Sequence, residues 1–372
     1  MTSMDDKQKK KLRVAVLFGG RSSEHEISLQ SAASVLRNLD PKRFEVVPIA
    51  VDKEGKWHLQ DLRQMKLPGK SLPVFENAPE LSLSCYPAQP VQASFDVVFP
   101  VLHGPLGEDG TVQGFLELAE IPYVGSGVLA SAVGMDKEMA KRLARDAGLP
   151  VVPFFTIRKS QWENQKNFIK KEISEKIKYP LFVKPSNMGS SVGVHKVKNE
   201  NELSKALEDA FLYDHKVLAE QAISAREIEV AVLENPVYGE PPLVSIPGEV
   251  KPKHEFYSYE AKYLDENGAE LCIPAKLSSE QTQDVQKIAQ DVFQALDCEG
   301  MGRVDLFLDK NSGQFYFNEI NTIPGFTSIS MYPKLFEASG ISYQELLSRL
   351  VDLSLASFAR KRKLVREYLP GK

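Results

Sequence analysis

Long apolar runs are absent: no stretch of the 372-residue chain approaches the ~20 consecutive apolar residues a helix needs to cross a bilayer, which excludes a helical membrane protein. Cysteine is scarce. Cys85, Cys272 and Cys298 are odd in number and lack metal-ligand spacing, so neither a disulfide framework nor a zinc site is expected, and reduced thiols are. A dominant charge is missing too. The 46 Lys and Arg against 50 Asp and Glu leave a formal net charge of -4, which gives no global pull toward nucleic acid. The basic cluster from Arg360 to Lys363 reads as the end of a solvated helix. The opening MTSMDDKQKKK has no apolar segment ahead of RVAVLF, so it reads as a lead-in rather than a secretory leader, and a cytoplasmic location is expected. No internal repeat, low-complexity segment or GxGxxG loop occurs. Gly19-Gly20 follows a strand and precedes a helix without completing a dinucleotide fingerprint.

What remains is an ordinary globular composition, 42% apolar and 26% charged, with length for about two to three domains. From Arg13 to about Ser126 the pattern alternates between strands RVAVLF, FEVVPIAV and DVVFPVLH and helices SLQSAASVLRNL and TVQGFLELAE, a βαβ series with a parallel sheet. Glu54 to Ser94 is polar and punctuated by proline, a surface excursion. A helix is expected from about Met135 to Ala147, stopped by Gly148-Leu149-Pro150. Strand YPLFVKPS, helix NELSKALEDAFLY and strand KVLAEQAI form an α+β unit. Strands at REIEVAVLE, MGRVDLFLD and QFYFNEIN and helices near Glu280 to Leu296 and from Ser342 complete the chain.

Several segments bear polar groups suited to chemistry. In VKPSNMGSSVG, Lys184 ends an apolar run ahead of glycines and serines whose N–H and hydroxyl groups suit a phosphate, or simply a hairpin turn. GRVDLFL and FYFNEIN read as a hairpin across LDKNSGQF. Alternation puts Arg303 with Asp305 on one strand face and Glu319 with Asn321 on one face of its partner, which is either a solvated face or a set of hard oxygen ligands for Mg²⁺. Lys137 near a helix start and Lys262 in EFYSYEAKYLD are surface lysines or phosphate contacts. Glu220 and Glu227 in VLAEQAISAREIEV are a strand edge or acceptors for an adenine amino group and a ribose. In LFGGRSSEHEISLQ, Glu24 and Ser28 are expected to cap the helix and point into the crevice at the strand ends. His103 in LHGPLGEDGTVQG ends another strand, packed or ligand-facing.

In this order FGGRSSEHEIS, LHGPLGEDG, YVGSG, MDKEMAK, VKPSNMGSSVG, EFYSYEAKY, MGRVDLF and NEINTIPGFTSISMYP resemble the D-alanine–D-alanine ligases of the ATP-grasp superfamily, nearly along the whole chain. The resemblance implies an N-terminal substrate-binding α/β unit (1–126), a central ATP-grasp subdomain with the phosphate loop (127–223) and a C-terminal one with the metal site and a mobile loop (224–372). It implies ATP and two Mg²⁺ ions, with Mn²⁺ able to substitute, a homodimer, and synthesis of a cell-wall precursor. Lys137, Lys184, Ser190, Ser191, Glu220, Gln221, Ile223, Glu227, Tyr257, Lys262 and Asn318 then belong to the nucleotide site, and Asp305, Glu319 and Asn321 to the metal. Glu24, His103, Arg303, Gly325, Ser330 and Met331 surround the two alanines. Glu24, Ser190 and Tyr263 form a hydrogen-bonded trio, and with Arg303 and His103 they make up the catalytic set. A D-alanine–D-lactate ligase, or a nucleotide-binding regulator that keeps the fold without the chemistry, are the rival readings.

Overall fold

The computed structural model describes residues 10–65, 69–81, 95–252 and 268–368. The N-terminal unit runs β1 (Leu12–Gly19), α1 (His25–Asn38), β2 (Phe44–Val51), β3 (Trp57–Leu59), β4 (Val97–Val101) and α2 (Thr111–Leu118). Its sheet order is β3-β2-β1-β4, with β1 parallel to both β2 and β4. Layers cover β1 on both faces, which is why RVAVLF is a continuous apolar run rather than an alternation. The sheet is mixed, not wholly parallel: the stretch read as a surface excursion begins with β3, antiparallel to β2. A turn makes that return possible. The Asp52 carboxylate accepts from the N–H groups of Glu54 and Lys56 and meets the buried His58 ring at 2.8 Å, while Gly55 takes the left-handed φ of +93°.

The helix expected from about Met135 to Ala147 is α4 (Lys137–Asp146), and a further helix, α3 (Val128–Met135), precedes it. Asp136 divides them, with ψ at 99° and its carboxylate capping α4 through the Met139 N–H at 3.1 Å. The stop after α4 is as expected, with Gly148 at φ +79°. The central unit comprises β5 (Phe154–Arg158), α5 (Lys159–Lys176), β6 (Leu181–Pro185), β7 (His195–Val197), α6 (Glu200–Ala210) and β8 (Lys216–Gln221), in the antiparallel order β5-β8-β6-β7.

The last unit contains β9 (Ala225–Leu233), β10 (Leu243–Val244), β11 (Gly248–Pro252), β12 (Ala269–Cys272), α7 (Ser279–Ala295), β13 (Met301–Asp309), β14 (Phe315–Asn321), α8 (Met331–Ala338) and α9 (Tyr343–Lys361). Its sheet runs β12-β11-β9-β13-β14, with β10 paired to β9. One face is closed by α7, whose Val285, Ala289, Val292 and Phe293 pack with Val230, Val232, Val304 and Leu306. Polar side chains therefore emerge on the opposite face. The end of α9 is clasped rather than solvated: Arg360 pairs with Glu234 at 3.0 Å, and Lys361 reaches Glu117 and Glu299 at 3.2 and 3.3 Å. These carboxylates sit on three other segments, so the basic cluster ties α9 to the body.

Candidate active site

The expected hairpin is present, with Arg303 opposite Asn321 and Asp305 opposite Glu319. A register slip follows at once, because Leu306 faces Phe317 and leaves Asn318 as an extra residue. This bulge breaks the strict alternation: Phe317 and Ile320 stay in the core while Asn318, Glu319 and Asn321 all line a cavity. Arg303 grips Asp305 with both ends of its guanidinium, at 2.7 and 2.6 Å, and meets Glu229 at 2.9 Å. Burial opposes its charge, yet Asp305 and Glu229 hold the guanidinium protonated well beyond its ordinary range. The Asn321 amide donates to Asp305 at 3.0 Å. Glu229, absent from the sequence-derived site, was signalled by REIEV, where alternation puts it on the face of Glu227.

Lysines approach from the other side. Lys184, at the end of β6, pairs with one Glu220 oxygen at 2.5 Å, and the fully buried Lys141 meets the other at 2.8 Å. Burial brings Lys141 down to about 8. Burial alone would raise the Glu220 carboxyl, but the two lysines hold it below the usual carboxylate value. Lys137 donates to the Met188 carbonyl at 2.7 Å and pairs with Glu319 at 3.1 Å. The loop after Lys184 turns through the left-handed region at Ser190, Ser191 and Gly193, and the Ser190 hydroxyl hydrogen-bonds the Glu24 carboxylate. Gly104 and Gly189 permit that contact, since a Cβ at either would lie 2.7 or 2.9 Å from a Glu24 oxygen. Glu24 occupies the N-cap position of α1, but neither its side chain nor that of Ser28 makes a capping hydrogen bond. Glu24 turns to the loop, and the Ser28 hydroxyl is buried against the strand ends, accepting from the Gly19 N–H at 2.8 Å and donating to the Val101 carbonyl.

The His103 ring lies between the Ile323 carbonyl at 3.2 Å and the Ser31 hydroxyl at 3.0 Å. A carbonyl only accepts, which puts the proton on Nδ1 and makes Nε2 the acceptor. Burial lowers the ring to about 4. The unfolded chain then binds more protons than the folded one between about pH 6.5 and 4, so His103 contributes a loss of ~3 kcal/mol as pH falls through that window. Urea midpoints at about pH 7.5 and 5 are expected to differ less in His103→Gln than in the unaltered protein; equal shifts would assign the acid lability elsewhere. Next to it, Glu108 accepts from the Gly104 N–H at 2.6 Å, and burial followed by the Glu24 charge raises its carboxyl well above the ordinary range.

Gly325, Ser330 and Met331 form another wall, where a Cβ on Gly325 would lie 2.7 Å from the Ser330 hydroxyl. Gln221, Ile223 and Glu227 line the cavity farther along, although the Gln221 amide is held by the Lys178 N–H and the Pro180 carbonyl. Tyr257, Lys262 and Tyr263 lie outside the described residues, as does Cys85. The cavity encloses about 1560 Å³ between the three units, more than the few hundred to ~1,000 Å³ typical of one small-molecule site, so it has room for a nucleotide and further substrates together. Asp305, Glu319 and Asn321 supply only hard oxygens from two rigid strands, a donor set that fits Mg²⁺.

The profile for the D-ala D-ala ligase N-terminus matches residues 13–126, and that for the D-ala D-ala ligase C-terminus matches residues 143–352. The D-alanine--D-alanine ligase A of Bradyrhizobium diazoefficiens is 54% identical over 375 residues, covering 96% of this chain and 99% of the relative. The D-alanine--D-alanine ligase of Caldicellulosiruptor bescii is 49% identical, covering 95% and 98%. Among solved structures, the D-alanine-D-alanine ligase from Coxiella burnetii superposes with a TM-score of 0.80 at 38% identity, covering 96% of this chain and 98% of that one. The VanG D-Ala:D-Ser ligase from Enterococcus faecalis gives 0.80 at 36%, covering 93% and 100%. With two family profiles spanning most of its length, and with the fold shared with solved ATP-grasp ligases, the chain belongs to the D-alanine–D-alanine ligase family.

Proposed function

We propose that this chain catalyses the ATP-dependent, ADP-forming ligation of two D-alanines to D-alanyl-D-alanine through a D-alanyl phosphate, for peptidoglycan precursors. The observation that carries the proposal is the meeting of Arg303, Asp305, Glu319 and Asn321 with Lys137 and Lys184 in one cavity, next to Glu24 and its Ser190 contact. In this reading the phosphates lie along Lys137, Lys184, Ser190, Ser191 and Asn318, and the base and ribose along Glu220, Gln221, Ile223 and Glu227. Lys262 and Tyr257 belong to the same nucleotide site. Asp305, Glu319 and Asn321 would hold the divalent cation, two Mg²⁺ ions for which Mn²⁺ can substitute, and the metal when bound supplies positive charge against the phosphates.

Glu24 attracts the ammonium of the first D-alanine, whose carboxylate takes the terminal phosphoryl group of ATP and so becomes an acyl phosphate, releasing ADP. The amine of the second D-alanine, freed of its extra proton, attacks the acyl carbon. Arg303 donates to the oxygen on which negative charge gathers, and inorganic phosphate leaves. The trio of Glu24, Ser190 and Tyr263 orients the second substrate, and His103, Gly325, Ser330 and Met331 shape its surroundings. The acyl phosphate would hydrolyse in water, which gives the Ser190 loop a reason to close on Glu24.

Among the described residues no helix is long and apolar enough to cross a membrane. We read the chain as a cytoplasmic homodimer built from units 1–126, 127–223 and 224–372. Phosphate release with D-alanine, L-alanine, D-serine and D-lactate, alone and paired, tests the activity, with products identified by mass spectrometry. Phosphate is expected in step with D-alanyl-D-alanine. Turnover on L-alanine, or a mixed D-alanyl-D-serine product outrunning the dipeptide, would count against the reading.

A further inference from the structure

Lys137 and Lys184 come from different elements, yet a single partly buried network fixes both. The Asp136 carboxylate accepts from the Met139 N–H at 3.1 Å, capping α4, from the Ser186 hydroxyl at 2.7 Å, and from the Lys216 ammonium at 2.5 Å. Ser186 closes the circuit. Its carbonyl accepts from the Lys137 N–H at 3.0 Å, and its own N–H donates to the Lys216 carbonyl at 2.9 Å. Lys216 also pairs with Glu138 at 2.9 Å. The residue that starts the helix of Lys137 is thereby locked to Ser186, which directly follows β6, the strand that carries Lys184, just where the phosphate loop begins. Asp136, Ser186 and Lys216 do not line the cavity, whereas both phosphate-facing lysines do. Any effect they have on the site therefore runs through the lysines they hold.

We propose that Asp136 is a positioning residue for nucleotide binding: it holds the start of α4 against Ser186 and Lys216 so that Lys137 and Lys184 converge on the phosphates. The inference rests on the reading of the cavity as an ATP site. A helix cap alone would stabilise α4 without regard to Lys184, but here the same carboxylate serves the cap, the loop strand and β8 at once.

Asp136→Asn keeps an oxygen for the cap and for Ser186 but removes the charge facing Lys216. The dissociation constant for trinitrophenyl-ATP and the KM for ATP are expected to rise about tenfold, as for loss of a charge-assisted hydrogen bond. The KM for D-alanine, and kcat at saturating ATP, are expected to stay within about twofold, because both lysines remain. If Asp136→Asn does not fold, Ser186→Ala cuts the link without removing a charge, and the same split in a smaller measure is expected. Unchanged ATP constants with a lowered melting temperature, or equal rises in both KM values, would overturn the positioning role. Failure of the unaltered protein to bind the analogue would sink the ATP reading and this inference with it. Binding by the unaltered protein and Asp136→Asn alike would sink the inference alone.

Discussion

Arg303→Met is expected to leave a folded protein whose kcat falls by about 10²–10³, the usual consequence of removing one donor to a developing oxyanion. Arg303 grips Asp305 with a bidentate fork while also facing Glu229. Its removal leaves two carboxylates facing each other with less positive charge between them. They border the cavity, where water can reach them, so the stability loss is set at roughly 1–3 kcal/mol rather than at the full cost of a sealed ion pair. Arg303→Lys separates the two effects. A lysine restores a charge but not a planar fork, so it should recover more of the urea midpoint than of kcat. If Arg303→Lys turns over like the unaltered protein, charge alone suffices and the oriented donor is not needed. If Arg303→Met keeps kcat, Arg303 acts on Asp305 and not on the reaction.

The hairpin was legible because alternation is a short-range property: Arg303, Asp305, Glu319 and Asn321 face one another as their spacing predicts. The bulge at Asn318 was not, since nothing in FYFNEIN distinguishes an extra residue from a regular one, and only the burial of both Phe317 and Ile320 requires it. The break between α3 and α4 was written in Met135-Asp136-Lys137, where an aspartate precedes a helical run, but an apolar sequence before it masked the signal. Helix α5 escaped for a different reason. KSQWENQKNFIKKEISEK buries only Trp162, Ile169 and Ile173, too thin a stripe to stand out. Long-range partners were the least readable. Nothing local joins Lys141 to Glu220, or Ser31 to His103, because each pair is more than 70 residues apart in sequence and meets only once the elements that carry them have packed.

Glu220→Gln carries the largest expected stability effect, because Glu220 neutralises two cations from within the protein. Its carboxylate pairs with Lys184 at 2.5 Å and Lys141 at 2.8 Å, and Lys141 has no exposed surface. Replacing the carboxylate by an amide of the same shape removes the negative charge and keeps both lysines, which is the costly way to break a buried ion pair, at about 3–5 kcal/mol. Lys141→Met is expected to cost less, since Glu220 retains Lys184, and the double variant should lose less than the sum of the two single losses. The pH dependence gives a further signature. In the unaltered protein Lys141 sits at about 8 against an ordinary 10.5, so folded and unfolded chains are both protonated below about pH 8, and its contribution there is flat. Without Glu220 the folded-state value drops further while the unfolded one does not. The unfolded chain then binds the extra proton already near neutrality, and stability rises with pH where it was flat before. Urea midpoints of Glu220→Gln are therefore expected to climb from about pH 6.5 to 8.5, and those of Glu220→Gln with Lys141→Met to lose that climb. A flat profile in Glu220→Gln, or a climb that survives the loss of Lys141, would show that Glu220 does not hold the Lys141 charge in place.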